Sequence, residues 1–118
     1  MKRFVLVIAM LVATVSLFSQ DISGKWNGLL VVPGAELRVD FNVSKTDDGY
    51  TSTLDSPDQG AYGIPTTSTV FKDKELTITI DDLMIEYTGK LNEEGVIKGT
   101  YTQAGQSFEM DLKKNEEE

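Results

Sequence analysis

The 118-residue chain contains no histidine and no cysteine. Without histidine there is no Ser-His-Asp or Cys-His relay, and the commonest zinc ligand is missing. Without cysteine there is no disulfide, no thiolate nucleophile and no thiol to carry a lipid anchor, so whatever folds is held by its core alone. Proline is scarce at three residues, and tryptophan occurs once, at Trp26. Bases are outnumbered, 11 against 19 acids, for a net charge of −8. That sign disfavours phosphate backbones and anionic lipid heads, which argues against nucleic acid as a partner. A Gly-x-Ser-x-Gly elbow is also lacking. The nearest fragment, Gly105-Gln106-Ser107-Phe108-Glu109, has no final glycine, and Ser107 reads as a turn serine.

What is present begins with a leader. Lys2 and Arg3 precede an uninterrupted apolar or small-residue run from Phe4 to Phe18, and no acid occurs before Asp21. The run is short for a bilayer span of about 20 residues and suits a signal peptide over residues 1–19, cut after Ser19 or Gln20. Removing Lys2 and Arg3 takes the net charge from −8 to −10. The expectation is one small domain over residues 20–113 with a charged tail at 114–118, exported to the periplasm or beyond the cell, with no membrane span once the leader is gone.

The mature sequence alternates. Trp26, Gly28, Leu30 and Val32 share one face; Leu37, Val39, Phe41 and Val43 share the next, opposite Glu36, Arg38, Asp40, Asn42 and Ser44. Leu54, then Thr69 and Phe71, then Leu76, Ile78 and Ile80 continue the inward phase. Leu83, Ile85, Tyr87, Gly89 and Leu91 follow, then Ile97, Gly99 and Tyr101, then Phe108, Met110 and Leu112. Turn chemistry separates these runs at Pro33-Gly34, Asp47-Asp48-Gly49, Lys72-Asp73-Lys74, Asp81-Asp82, Glu93-Glu94-Gly95 and Ala104-Gly105. Ser56 to Pro65, with two prolines and two glycines, reads as a long loop without a regular element. Eight strands in sequential hairpins predict an all-β, antiparallel up-and-down barrel, with a two-sheet sandwich as the alternative.

In such a meander successive turns fall at opposite ends. Trp26, both acidic-glycine turns and the C terminus share one end; Pro33-Gly34, the 56–65 loop, Asp81-Asp82 and Ala104-Gly105 share the other. Extending the last strand's inward parity from Leu112 selects Lys114 as a cation over the Trp26 ring, so the pair reads as a structural plug worth roughly 0.5–2 kcal/mol. A ligand site, where one exists, belongs at the far end, with Ser56, Asp58, Gln59 and Tyr62 as its polar rim. About 20 large inward side chains predict a mostly filled interior. The acidic pairs each occupy turns that favour such residues, and none has the spacing of a calcium loop. No catalytic residue, metal ligand or cofactor is expected, and the reading is a non-enzymatic binding or accessory module for a small apolar or carbohydrate-like ligand or a protein partner.

Gly24-x-Trp26 on a first strand, with a basic residue closing the last, resembles the calycin pattern of lipocalins and avidins. Over nearly all of the mature chain, DISGKWNGLLVVPGAELRVDFNVSKTDDGYTSTLDSPDQGAYGIP and IEYTGKLNEEGVIKGTYTQAGQSFEMDLKK, the sequence resembles the N-terminal β-domain of secreted Bacteroidetes-type esterases of the α/β-hydrolase fold. There the domain precedes a catalytic domain with a serine elbow and triad, to which no residue here corresponds. The resemblance implies a free-standing accessory module, and as an alternative function a regulatory or substrate-presenting part that works with a separate hydrolase.

Overall fold

The structure, a computed structural model, describes residues 21–115. The expected leader at 1–19 and the end of the expected tail, 116–118, lie outside the described residues. Nine strands form one antiparallel up-and-down sheet curled into a half-barrel: β1 (Gly24–Val32), β2 (Ala35–Lys45), β3 (Tyr50–Ser56), β4 (Ala61–Pro65), β5 (Ser68–Lys72), β6 (Glu75–Ile80), β7 (Ile85–Leu91), β8 (Val96–Gln103) and β9 (Gln106–Lys114). Their order across the sheet is β4-β3-β2-β1-β9-β8-β7-β6-β5, so the first and last strands are neighbours and the sheet's two edges are consecutive in the chain.

The alternating pattern dictates which face turns inward, because successive side chains of a strand point to opposite faces. Trp26, Leu30, Val39, Phe41, Val43, Leu54, Leu76, Ile78, Ile80, Ile85, Tyr87, Ile97, Tyr101, Met110 and Leu112 are all buried on the concave side. Phe41 of β2 meets Tyr87 of β7 from the opposite wall, ring centroids 5.8 Å apart, and fills the middle of the barrel. Room for Tyr87 comes from Gly89 and Gly99, which are directly paired across β7 and β8. A Cβ at Gly89 would lie 2.9 Å from the Tyr87 hydroxyl, and one at Gly99 would run into the Thr88 carbonyl oxygen. The hydroxyl threads past them and donates to the Met110 carbonyl at 2.7 Å.

Three sequence expectations change. Residues 56–65 are not an irregular loop: Pro57–Gln59 forms a 3-10 turn, and Ala61–Pro65 is the strand β4, which raises the eight expected strands to nine. Pro57 starts that turn, where its missing N–H costs nothing, and Pro65 closes an edge strand, which needs no donor on its free side. Leu83 does not join the inward face of β7. Asp81–Leu83 winds into a second 3-10 turn, which breaks the period of two and leaves Leu83 exposed. Finally, Lys114 belongs to β9 rather than to a frayed tail, and the Asn115 N–H donates to the Lys25 carbonyl.

β4 and β5 are two halves of one stave. β4 pairs with the later part of β3 through Leu54↔Ile64 and Ser56↔Ala61. β5 lies beside the earlier part, where Thr69 Oγ1 meets Ser52 Oγ at 2.7 Å and the Phe71 ring stands edge-on to Tyr50. Thr66 completes the seam, 3.0 Å from both Ser52 Oγ and Thr69 Oγ1. Side chains, not a backbone ladder, join β3 to β5.

Candidate functional site

The two ends of the half-barrel differ in how they are closed. At the Trp26 end, β1 and β9 pair through Trp26↔Lys114, Asn27↔Lys113 and Gly28↔Leu112. Trp26 is buried, its indole N–H donates to the Ile22 carbonyl at 2.8 Å, and Ile22 itself is almost wholly covered. Lys114 Nζ stands 6.0 Å from the Trp26 ring centroid. The lysine stem runs over Gly24, where a Cβ would come within 2.7 Å of its Cε. This end is packed shut.

At the opposite end the strands separate. The β1–β9 ladder stops at Gly28↔Leu112, although β1 continues to Val32 and β9 starts back at Gln106. Apolar residues on the inward phase at this end, which belong to the core cluster or pack against it, therefore also border open volume. A cavity of about 250 Å³ is bounded by Leu30, Leu37, Val39, Leu54, Ile64 and Ile85, with Leu83 and Ala61 at its edge. Ser56, Gln59, Tyr101 and Gln103 supply its hydrogen-bonding groups. A second, more open lobe of about 410 Å³ shares Leu30, Leu37, Tyr101 and Gln103 and extends to Val32, Gln106 and Phe108 between the separated strands.

The polar groups of the cavity are partly engaged with each other. Ser56 Oγ donates to Gln59 Oε1 at 2.7 Å, which leaves the Gln59 amide nitrogen as a donor. The Tyr101 hydroxyl donates to Gln103 Oε1 at 3.0 Å and keeps its oxygen lone pairs. Burial holds the Tyr101 hydroxyl above its ordinary pKa, so it is neutral through the physiological range. No ionisable side chain other than this phenol lines either lobe.

Of the four residues expected at the rim, the structure brings Ser56 and Gln59 to the cavity and turns Asp58 and Tyr62 away from it. The 3-10 turn rotates Asp58 to the outer wall, where its carboxylate accepts from the Arg38 backbone N–H at 2.9 Å and from Arg38 Nη2 at 2.9 Å. Those hydrogen bonds lower the Asp58 carboxyl and raise the Arg38 guanidinium, to which Asp40 and Tyr62 add smaller contributions. Gly63, at φ 67°, bulges β4 so that Tyr62 points outward and is 66% exposed. Tyr101, Gln103, Gln106 and Ile64 were not expected as site residues. Gln103 and Gln106 flank the Ala104-Gly105 turn, and the end-by-end placement of turns was the signal that could have found them.

Outside the barrel, Asn27, Gly28, Leu29, Arg38, Glu109, Asp111 and Lys113 bound an open groove of about 600 Å³ over the same separation of β1 from β9. Leu29 and Val31 stand beside it, 46% and 56% exposed. The acidic pairs remain in turns: Asp47-Asp48 between β2 and β3, Asp81-Asp82 in the second 3-10 turn, and Glu93-Glu94 between β7 and β8. Asn42, in a sequon-like Asn-Val-Ser, donates its side-chain amide to Thr53 Oγ1 and to Asp55 Oδ2, both at 3.1 Å. No helix among the described residues is long and apolar enough to cross a membrane. Comparison with protein-family models, curated proteins and solved structures gives no match for this chain.

Proposed function

We propose that this chain is a non-enzymatic, exported β-barrel module that holds a small ligand at the end away from Trp26. The observation that carries the reading is the cavity of about 250 Å³, walled by apolar side chains and supplied with a few convergent hydrogen-bonding groups. Ligand sites combine these two properties: the apolar wall provides affinity and a few polar groups fix orientation. Export follows from the leader-like residues 1–19, and a secreted product beginning at Gln20 or Asp21 is the corresponding N-terminal sequence.

Native mass spectrometry of protein purified from its source tests the reading. The expected result is a mature chain carrying a bound small molecule. Ala61→Phe, which fills the cavity from the edge strand β4, is expected to remove that molecule while leaving the fold intact. A ligand that survives Ala61→Phe would place binding elsewhere.

Leu29 and Val31 favour a second reading, an outer-wall contact with a protein partner such as a separately made hydrolase. Two outward aliphatic side chains on one strand, beside an open groove, are more than a scattered exposed residue. Co-purification of a hydrolase that is lost in Leu29→Ser/Val31→Ser would support it.

A further inference from the structure

We infer that the cavity selects an uncharged, short-chain amphiphile, an aliphatic body of about ten non-hydrogen atoms ending in a hydroxyl or carbonyl, and rejects ionised counterparts of the same length. The inference rests on the ligand-binding reading above and adds to it the chemical class of the occupant.

Size is the first constraint. At the packing density of protein interiors, about 0.74, a cavity of about 250 Å³ takes roughly 185 Å³ of ligand, which corresponds to about ten carbon or oxygen atoms. Shape is the second. The part of the wall formed by Val39, Leu54, Ile64 and Ile85 offers no polar side-chain atom, so the aliphatic end lies there. Leu30 and Leu37 lie on the wall shared with the open lobe.

Charge is the third and decides between classes. The cavity's only polar side chains are Ser56, Gln59, Tyr101 and Gln103, so a buried carboxylate or ammonium finds no counter-ion. Burying an ion without a partner is far costlier than burying a hydroxyl that keeps one hydrogen bond. Asp81 and Asp82 immediately precede Leu83 on the cavity's edge, and the chain as a whole carries −8, so the field at the mouth opposes anions as well. A cation would gain from that field only by leaving its head outside, in water, with a shorter tail inside.

Hydrogen bonding supplies the last piece. Because Ser56 occupies Gln59 Oε1, Gln59 presents its amide N–H₂ to the ligand. The Tyr101 oxygen, whose proton goes to Gln103, presents lone pairs. The lining thus offers a hydroxyl both donor and acceptor groups, while a carbonyl uses the donor alone.

The test titrates the mature chain at pH 7 with 1-octanol, octanoate and octylammonium, followed by two-dimensional amide NMR at Ser56, Gln59, Leu83 and Gln103. The expected result is saturable binding of 1-octanol, at least about tenfold tighter than either ion, with shifts at those residues and not at the Trp26 end. In Gln59→Leu, an exposed-side-chain variant that leaves the core untouched, 1-octanol is expected to bind several-fold more weakly. Binding of octanoate or octylammonium as tight as 1-octanol would overturn the inference and leave the cavity reading standing. Failure of all three to shift any of these amides would overturn both.

Discussion

Lys114 lies directly across the β1–β9 ladder from Trp26, with its ammonium 6.0 Å from the indole centroid, and the indole N–H is at the same time bound to the Ile22 carbonyl. The only tryptophan is thus fixed by a strand partner, a cation and the segment that leads into β1. Trp26→Ala is expected to cost about 3–5 kcal/mol, as for other buried aromatics, and to lower the thermal midpoint sharply. Lys114→Met, which keeps the stem over Gly24 and removes the charge, is expected to cost only about 0.5–1 kcal/mol. If Trp26→Ala left the melting curve unchanged and abolished ligand binding instead, the closed and open ends would have to be exchanged.

Tyr87 and the Gly89/Gly99 pair form a second linked set. Tyr87→Phe removes the hydrogen bond to the Met110 carbonyl and should cost about 1–2 kcal/mol in urea unfolding. Gly99→Ala should cost about 3 kcal/mol, the upper end for overpacking, because its Cβ meets the Thr88 carbonyl and the Gly89 backbone as well as the Tyr87 hydroxyl. The double variant is expected to stay as unstable as Gly99→Ala. Rescue by Tyr87→Phe would show the hydroxyl to be the sole obstacle.

Alkali should destabilise this protein through two buried phenols. Burial, with a smaller contribution from Asp111, raises the Tyr87 hydroxyl well above its ordinary value, and burial raises Tyr101 too. Below the unfolded-state value of about 10, both states keep the proton and the stability contribution is fully present. Above it the unfolded chain releases protons that the folded chain retains, so stability is lost as pH climbs towards the folded values. The denaturation midpoint should therefore fall from about pH 10 upward, and fall less steeply in Tyr87→Phe.

The hydroxyl seam between β3 and β5 gives a separate prediction. Thr69→Val keeps the shape and removes the partner of Ser52 at 2.7 Å, for an expected loss of about 1–2 kcal/mol. Hydrogen exchange should speed up at Tyr50–Ser52 and Thr69–Phe71 and stay unchanged along β1–β9. Equal acceleration at the seam and along the β1–β9 ladder would mean that the seam has no local stability of its own.

Most of the wall was legible in the sequence because strands with one wet face announce their phase. Leu37, Val39, Phe41 and Val43 alternate with polar residues, and three of the four are buried. The turn bookkeeping was legible for the same reason, since each tight turn reverses the chain once. What escaped were departures from a period of two. Leu83 was assigned inward by parity, but a 3-10 turn resets parity. Asp58 and Tyr62 were read as rim residues, and a 3-10 turn and the bulge at Gly63 carry them to the outer wall. β4 was hidden by Gly63 and Pro65, residues that an edge strand tolerates. Ile22 stands alone before Gly24, with no alternation to mark it, and its burial depends on a tryptophan four positions on.

The unequal pairing of β1 and β9 separates two kinds of constraint along a single axis. From Gly28 towards Trp26 every inward position is committed to neighbours on all sides, and a change of one methyl group is felt. From Leu30 outward, positions such as Val32, Gln103, Gln106 and Phe108 face open volume. Val32 and Phe108 still pack against the core, so the exposed ends of Gln103 and Gln106 are where a replacement alters the polarity of this end at the least cost to folding. Substitutions of one size should therefore be felt unequally along the barrel axis, most where β1 and β9 are paired and least where they part.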